Sequence, residues 1–540
     1  MKQRSSASKA HSQNFTEPRK DNFKIQKKVP FMSVRRTETP NTQDFIVAID
    51  QGTTSSRSLL FDKLCNITSQ HQIPTKQYFP RNAWVEQNPL DIWDNTLETL
   101  RQTTKLAGLS STRIAAMGIS NQRETTVIWH RETGIPIYNA IIWLDRRTAE
   151  DCRSLELRGF SKLIQDKTGL ILDPYFSASK ISWILSNVDG ARSAADNGEL
   201  AFGTIDSWLL WNLTNGTVHA TDITNASRTM LFNINCQDWD SELLDLFEIP
   251  KSLLPEVRDC NAYFGSTDSS ILGSSIDIYG VAGDQQAAAL GQACFTKGMI
   301  KSTCGTGCFA LFNTGDERAY SNNKLITTIA YRISGKINYA LEGSIFAAGV
   351  VINWLRDGLN FTESPEEFDK LAESSNLDDL VYLIPAFSGL GAPWWDTKAR
   401  GAVLGMTLST GKKEIARAAL ESVCYQTFDL LRAMQRDVDD SPIISLRVDG
   451  GMSKSNWSMQ FLADILQIPI DRSTVSETSA LGVAWLAASK IGFWPTYKHF
   501  AKNWKCQQRF TPQMNSQKRQ LKLSGWRKAL ESIKSSSQII

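Results

Sequence analysis

The strongest constraint on the fold is a design that occurs twice. Residues 45–50 (FIVAID) form a short apolar, β-branched run that predicts a buried strand. Gly52-Thr53-Thr54 is a turn, and residues 57–62 (RSLLFD) predict a second strand. About 250 residues later, 299–303 (MIKST), Gly305-Thr306-Gly307 and 308–312 (CFALF) repeat the pattern. Two such units suggest a chain of two related halves, each opening with a glycine hairpin. Glycine–threonine hairpins are also common on their own, so the intervening pattern has to support the reading.

That pattern alternates. Residues 90–106 and 414–436 have helical spacing, with Ile415, Ala419, Val423, Leu430 and Met434 near one face. Residues 446–449 predict a strand ending in Gly450-Gly451, and 457–466 predict a helix. Strands alternating with helices indicate an α/β protein. Residues 1–43 are rich in Ser, Lys, Arg, Gln and Asn and lack an apolar period, which predicts a disordered basic extension. Met32 is an alternative start, and Glu17, Asp21 and Glu38 argue against a mitochondrial presequence. No uncharged apolar run reaches the ~18 residues of a membrane span.

Charge is uneven. Residues 1–40 hold ten basic and three acidic side chains, and 501–540 hold nine and one, so the body between them is acidic. An acidic body does not suggest a nucleic-acid clamp. The basic ends read as solvated faces, with a weak anionic partner as the alternative. Nine scattered cysteines make no disulfide framework and fit a reducing compartment. Five histidines include no HExxH pair, and no GxSxG elbow occurs, so neither metal hydrolysis nor serine-hydrolase chemistry is indicated.

Three acid-or-glycine turns could handle phosphate. Asp50 ends a strand, and Gly52, Thr53, Thr54, Ser55, Ser56 and Arg57 follow as a cradle for oxyanions, with Asp50 able to hold Mg²⁺. The plain alternative is a polar hairpin, because no Gly-Lys-Ser/Thr closes the turn. Gly305-Thr306-Gly307 and Asp449-Gly450-Gly451 offer a second and third clasp. Asp284 stands where the apolar run 278–282 hands over to a helix, so it suits a general base, although an N-cap is the commoner fate of Asp before a helix. Arg123 and Glu124 follow the run 114–119 and could bind adjacent hydroxyls or form a surface ion pair.

In order along the chain stand Asp50–Arg57, Trp84–Glu86, NQRETT (121–126), YNAIIW (138–143), DPYFS (173–177), TNASRTMLF (224–232), GDQQ (283–286), GTGCF (305–309), GLGAP (389–393) and VDGG (448–451). With these motifs the sequence resembles the glycerol kinases of the FGGY carbohydrate kinase family, from about residue 45 to 530. The resemblance implies an α/β, two-domain actin-like and ribonuclease-H-like ATPase fold with an interdomain cleft. Its domains would span 44–293 and 294–530, with a tail at 531–540. It implies Mg²⁺-dependent transfer of the ATP γ-phosphoryl group to a terminal hydroxyl of glycerol, giving sn-glycerol 3-phosphate.

Residue by residue, the resemblance gives Asp284 the role of base. Arg123, Glu124, Tyr175, Asp284 and Gln285 would bind the hydroxyls of glycerol, with Trp143 and Phe309 behind its carbons. Thr53, Thr54, Ser55, Arg57 and Thr306 would contact phosphate. Gly349, Asn353, Gly450, Gly451 and Ser455 lie on the nucleotide side, and Asp50 anchors Mg²⁺ directly or through water. Ser455 (followed by Asn456) and Asn353 depart from the family's usual Asn and Gln, which touches nucleotide affinity. A homo-oligomer, dimer or tetramer, is expected, in the cytoplasm with mitochondrial association as the alternative. A sugar kinase of the same family, an inactive scaffold and an actin-like filament are the competing readings.

Overall fold

The computed structural model describes residues 43–376, 378–387, 389–396, 398–439 and 442–536. The extension expected at 1–43 lies, apart from Gln43, outside the described residues. The two hairpins each open a mixed sheet. In the first, Phe45–Gln51 pairs antiparallel with Ser55–Phe61, which pairs antiparallel with Ile67–Pro74. On its other side Phe45–Gln51 runs parallel to Ile114–Asn121, and that strand runs parallel to Ile278–Gly283. The second sheet has the same arrangement around Met299–Cys304. Cys308–Gly315 and Lys336–Ile345 follow antiparallel on one side, and Ser445–Asp449 and Ile470–Ser473 follow parallel on the other. Ile326–Ile333 and Cys506–Phe510 extend its two edges. The duplicated hairpin therefore marks a duplicated sheet.

The helices expected at 90–106, 414–436 and 457–466 span Pro89–Leu106, Lys412–Asp437 and Asn456–Leu466. Asn88 caps the first of them through its side chain, with proline in the first helical position. The last helix, Ser516–Ser536, runs into the tail set at 531–540, because Leu530 and Ile533 are buried in the second core.

Two helices join the halves. Asp284–Gly291 follows the last strand of the first sheet, and Thr478–Lys490 follows a strand of the second. They touch backbone to backbone: a Cβ on Gly482 would lie 1.9 Å from the Ala287 carbonyl oxygen, and one on Gly291 would lie 2.0 Å from that of Thr478. Thr478–Lys490 also lies against the first sheet, where a Cβ on Gly118 or Gly280 would meet the Val483 carbonyl oxygen at 2.4 Å. Only glycine allows contacts this close. The packing fixes the start of Asp284–Gly291 relative to both sheets.

Candidate functional site

Strand register brings the first group of expected residues to one edge. Asp50 pairs with Arg57 and Ser120, and Gln51 and Gly283 both pair with Asn121. The chain therefore leaves the sheet at Gly52, at Gln122-Arg123 and at Asp284 on the same side and at the same level. This is the carboxyl end of parallel strands, where α/β sheets open their crevices. In the second sheet Thr303 pairs with Asp449, so Gly305 and Gly450 leave from the corresponding edge. Gly450 has φ +87°, and a Cβ there would lie 2.6 Å from the Cys304 carbonyl oxygen. That exit requires glycine.

Asp284 is the first residue of its helix, behind Gly283 as cap, and its Oδ1 accepts the Gln285 N–H at 2.7 Å. Arg123 Nε stands 3.3 Å from Oδ1, and 30% of the Asp284 side-chain surface remains open. Burial raises its carboxyl above the ordinary range; Arg123 and Lys301 oppose the rise and Asp50 adds to it. The Asp50 carboxyl is also raised by burial, against the pull of Arg57 at 2.9 Å. Two carboxyls of raised proton affinity thus act on each other beside the first turn.

Arg123 is held from the other half of the chain. Its Nη1 and Nη2 donate to Glu342 at 2.5 and 3.0 Å, and Nη1 also donates to Gln286 Oε1 at 3.1 Å. Arg228 donates to Glu342 at 2.9 Å and, through Nε, to Glu124 at 2.6 Å. Burial works against the Glu342 charge, but Arg123 and Arg228 outweigh it and hold the carboxyl at about 2. Glu124 adopts φ +61°, a strained conformation for this residue type, and its carbonyl is held by Ser177 Oγ at 3.0 Å and Lys180 Nζ at 3.3 Å. Its side chain is buried against Arg228 rather than open. Gln285 is held by Lys301, whose Nζ donates to its Oε1 at 2.6 Å.

Three aromatic rings complete the pocket. Trp143 packs edge-on to Tyr175 at 5.6 Å and to Phe309 of the second half at 6.2 Å. The Trp143 indole N–H donates to Thr53 Oγ1 at 2.8 Å, which ties this wall to the first turn. Gln87 holds the Thr53 carbonyl at 2.6 Å. Thr54 and Thr306 are exposed at the tips of their turns. Ser55 is buried and accepts from Gln72 at 2.8 Å. Arg57 is ion-paired to Asp50 and Glu477, while its Nε is buried with no partner.

On the nucleotide side, Gly349 and Gly305 are in backbone contact: the Gly349 N–H donates to the Gly305 carbonyl at 2.9 Å, and a Cβ there would meet that oxygen at 2.6 Å. Gly451 and Asn353 are exposed, and nothing lies within 4 Å of where a Gly451 Cβ would point. Between Gly450 and the helix expected at 457–466, which starts at Asn456, the chain makes a 3₁₀ turn over Gly451–Lys454. Ser455 caps that helix through the Ser458 N–H at 3.0 Å, and its hydroxyl also meets Asp369 at 2.5 Å. Its polar contacts are thus already structural.

Glu342, Arg228, Lys301, Gln286 and Glu477 went unremarked in the sequence. Lys301 and Glu342 carried a signal: each is a charge within a strand that is otherwise apolar or small, MIKST and YALEGS. A charge buried at such a place requires a partner.

Two family models cover most of the chain. Residues 45–291 match the N-terminal domain of the FGGY family of carbohydrate kinases, and residues 300–491 match its C-terminal domain. The chain belongs to the FGGY family of carbohydrate kinases. Over 488 residues this FGGY chain is 56% identical to the glycerol kinase of Sinorhizobium fredii (strain NBRC 101917 / NGR234), covering 90% of this chain and 98% of that one. The crystal structure of Plasmodium falciparum glycerol kinase with ADP superposes with a TM-score of 0.86 at 37% identity, covering 91% of this chain and 98% of that one. The ligand-bound xylulose kinase of Lactobacillus acidophilus superposes at 0.82 with 22% identity over 91% and 98% of the two chains, a likeness of fold alone.

Proposed function

We propose that this FGGY kinase phosphorylates glycerol with ATP to give sn-glycerol 3-phosphate, with Asp284 as the general base. One observation carries the mechanism. Asp284 faces the Arg123 guanidinium at 3.3 Å beside a three-ring wall whose Trp143 is bonded to the phosphate turn at Thr53. A three-carbon triol needs polar groups for its oxygens and apolar surface for its carbons, and this pocket offers both.

In this reading Asp284 accepts the proton of a terminal hydroxyl as that oxygen attacks the γ-phosphorus. The raised proton affinity of Asp284 makes it a stronger base than an ordinary carboxylate. Arg123, Tyr175 and Gln285 would orient the other hydroxyls, with Glu124 acting through the Arg228–Glu342 cluster and at the substrate edge. Trp143 and Phe309 exclude water, the competing nucleophile. Thr53, Thr54, Ser55 and Thr306 would donate to phosphate oxygens. Thr53 accepts the Trp143 N–H and so keeps its own proton to give. The unpartnered Nε of Arg57 is a further donor beside them. Gly349, Asn353, Gly450, Gly451 and Ser455 would flank the nucleotide.

Asp50 would hold Mg²⁺, directly or through water. Among the described residues no group of three or more His, Cys, Asp and Glu could hold a metal ion by itself. Magnesium suits such a site, because it uses one or two carboxylates and completes its shell with phosphate and water. Bound with ATP, it would offset charge on the β- and γ-phosphates.

The domain division at 293/294, a homo-oligomeric state and a cytoplasmic location, with mitochondrial association as the alternative, belong to the same proposal. Among the described residues no helix is long and apolar enough to cross a membrane.

Asp284→Asn tests the mechanism. Turnover is expected to fall about 10²- to 10⁴-fold while nucleotide affinity is kept. Unchanged turnover would remove Asp284 from its role. A panel of glycerol, dihydroxyacetone, xylulose and gluconate tests the substrate, and preference for a sugar would reject glycerol.

A further inference from the structure

The basic C-terminal segment contributes to a cavity away from the cleft. A cavity of about 370 Å³ lies between the helices Lys412–Asp437 and Ser516–Ser536, and Arg432, Arg519 and Arg527 line it together with Gln435 and Gln520. Among the described residues no carboxylate lines it. Ile443 and Ile468, also in its wall, lie two residues before the strands Ser445–Asp449 and Ile470–Ser473. The cavity therefore sits at the amino edge of these parallel strands, whereas Gly450 leaves from the carboxyl edge. The five-residue strand alone separates the two by roughly 16 Å.

Three guanidiniums meet here, and none of them is in an ion pair among the described residues. Arg519 is pre-oriented: its Nε donates to the Ile465 carbonyl at 2.7 Å, and its guanidinium lies 5.5 Å from the Phe428 ring centroid. That leaves both Nη groups for another partner. Arg432 makes a 3.3 Å contact with Gln435 Oε1 and is exposed, as is Arg527. Burial lowers the proton affinity of Arg519, and the like charges of Arg432 and Arg527 lower it further. Asp429, held by the Trp526 indole N–H at 2.8 Å, offsets part of the Arg527 charge; a bound anion would relieve the repulsion that remains among the three cations. The planar forks and amide donors match the tetrahedral oxyanion of a phosphate ester.

We propose that this cavity is a second, non-catalytic site that binds a soluble organic phosphate carrying more than one negative charge, gripped by Arg432, Arg519 and Arg527. Its size lies within the range of small-molecule sites.

The test uses the full chain, with the catalytic cleft filled by glycerol and a non-hydrolysable ATP analogue. Inorganic tripolyphosphate is then titrated by calorimetry. One further site per chain is expected, weakening as salt is raised. The double substitution R432Q/R527Q removes two exposed charges and should weaken that site at least about tenfold, with kcat and glycerol KM unchanged. R519Q should weaken it as strongly, and its thermal midpoint reports whether the fold is kept. No tripolyphosphate uptake once the cleft is filled would overturn the proposal. Equal uptake by the wild type and R432Q/R527Q would overturn it as well.

Discussion

Glu342→Gln tests the reading of the buried charge cluster. In the native chain one carboxylate from the second half neutralises two arginines from the first, with contacts of 2.5, 3.0 and 2.9 Å. A carboxyl held at about 2, against an ordinary value near ~4.3, places about 3 kcal/mol on its charged form. Breaking a buried pair by removing one partner costs a similar ~3–5 kcal/mol. Because the folded-state value is depressed, this contribution is complete above the ordinary carboxylate range and is lost as pH falls through about 2.

At neutral pH the variant should therefore lose about 3 kcal/mol in urea unfolding. A second effect reaches the reaction. Released from Glu342, the Arg123 charge falls more fully on Asp284 at 3.3 Å and Glu124 at 3.8 Å. The acid limb of the kcat–pH profile should move to lower pH, and displacement of Arg123 should reduce kcat/KM for glycerol by up to about 100-fold. A stability loss below about 1 kcal/mol, together with an unmoved acid limb, would refute the assignment of Glu342 as the counter-charge.

Other outcomes follow from the same geometry. Gly482→Ala would place a methyl 1.9 Å from the Ala287 carbonyl oxygen; we expect at least about 1–3 kcal/mol of lost stability and reduced turnover, read by thermal unfolding and ADP release. Trp143→Ala removes both the aromatic wall and the bond to Thr53, so glycerol KM should rise and kcat should fall. Burial, then the charge of Asp222, pushes the Asp206 carboxyl up to about 7. The folded state then holds that proton more tightly than the unfolded chain, so stability should fall between about pH 4 and pH 7 by up to roughly 4 kcal/mol and level off above. Asp206→Asn should flatten this slope in urea midpoints measured across the same range.

The sequence alone carried what short-range rules can carry. The apolar runs 45–50 and 299–303, the glycine turns behind them and the 3.6-residue periods at 90–106 and 414–436 each depend on neighbours within a few positions, and they gave the duplicated α/β design with little error in the ends. Motif order then supplied the family, and with it the candidate base at Asp284 and the polyol residues at Arg123 and Tyr175. Tertiary structure decided the partners of the buried charges. Arg123 and Glu342 are 219 positions apart, and no local period connects them. They meet because two helices without side-chain bulk at Gly291 and Gly482 let the halves close to backbone contact. That closeness engages Gln285 with Lys301, while Glu124 meets Arg228 within the first half and Ser455 caps its own helix, so residues that the sequence left open to ligand already have protein partners. A buried charge must find its counterpart wherever the fold brings one, and only three dimensions determine where that is.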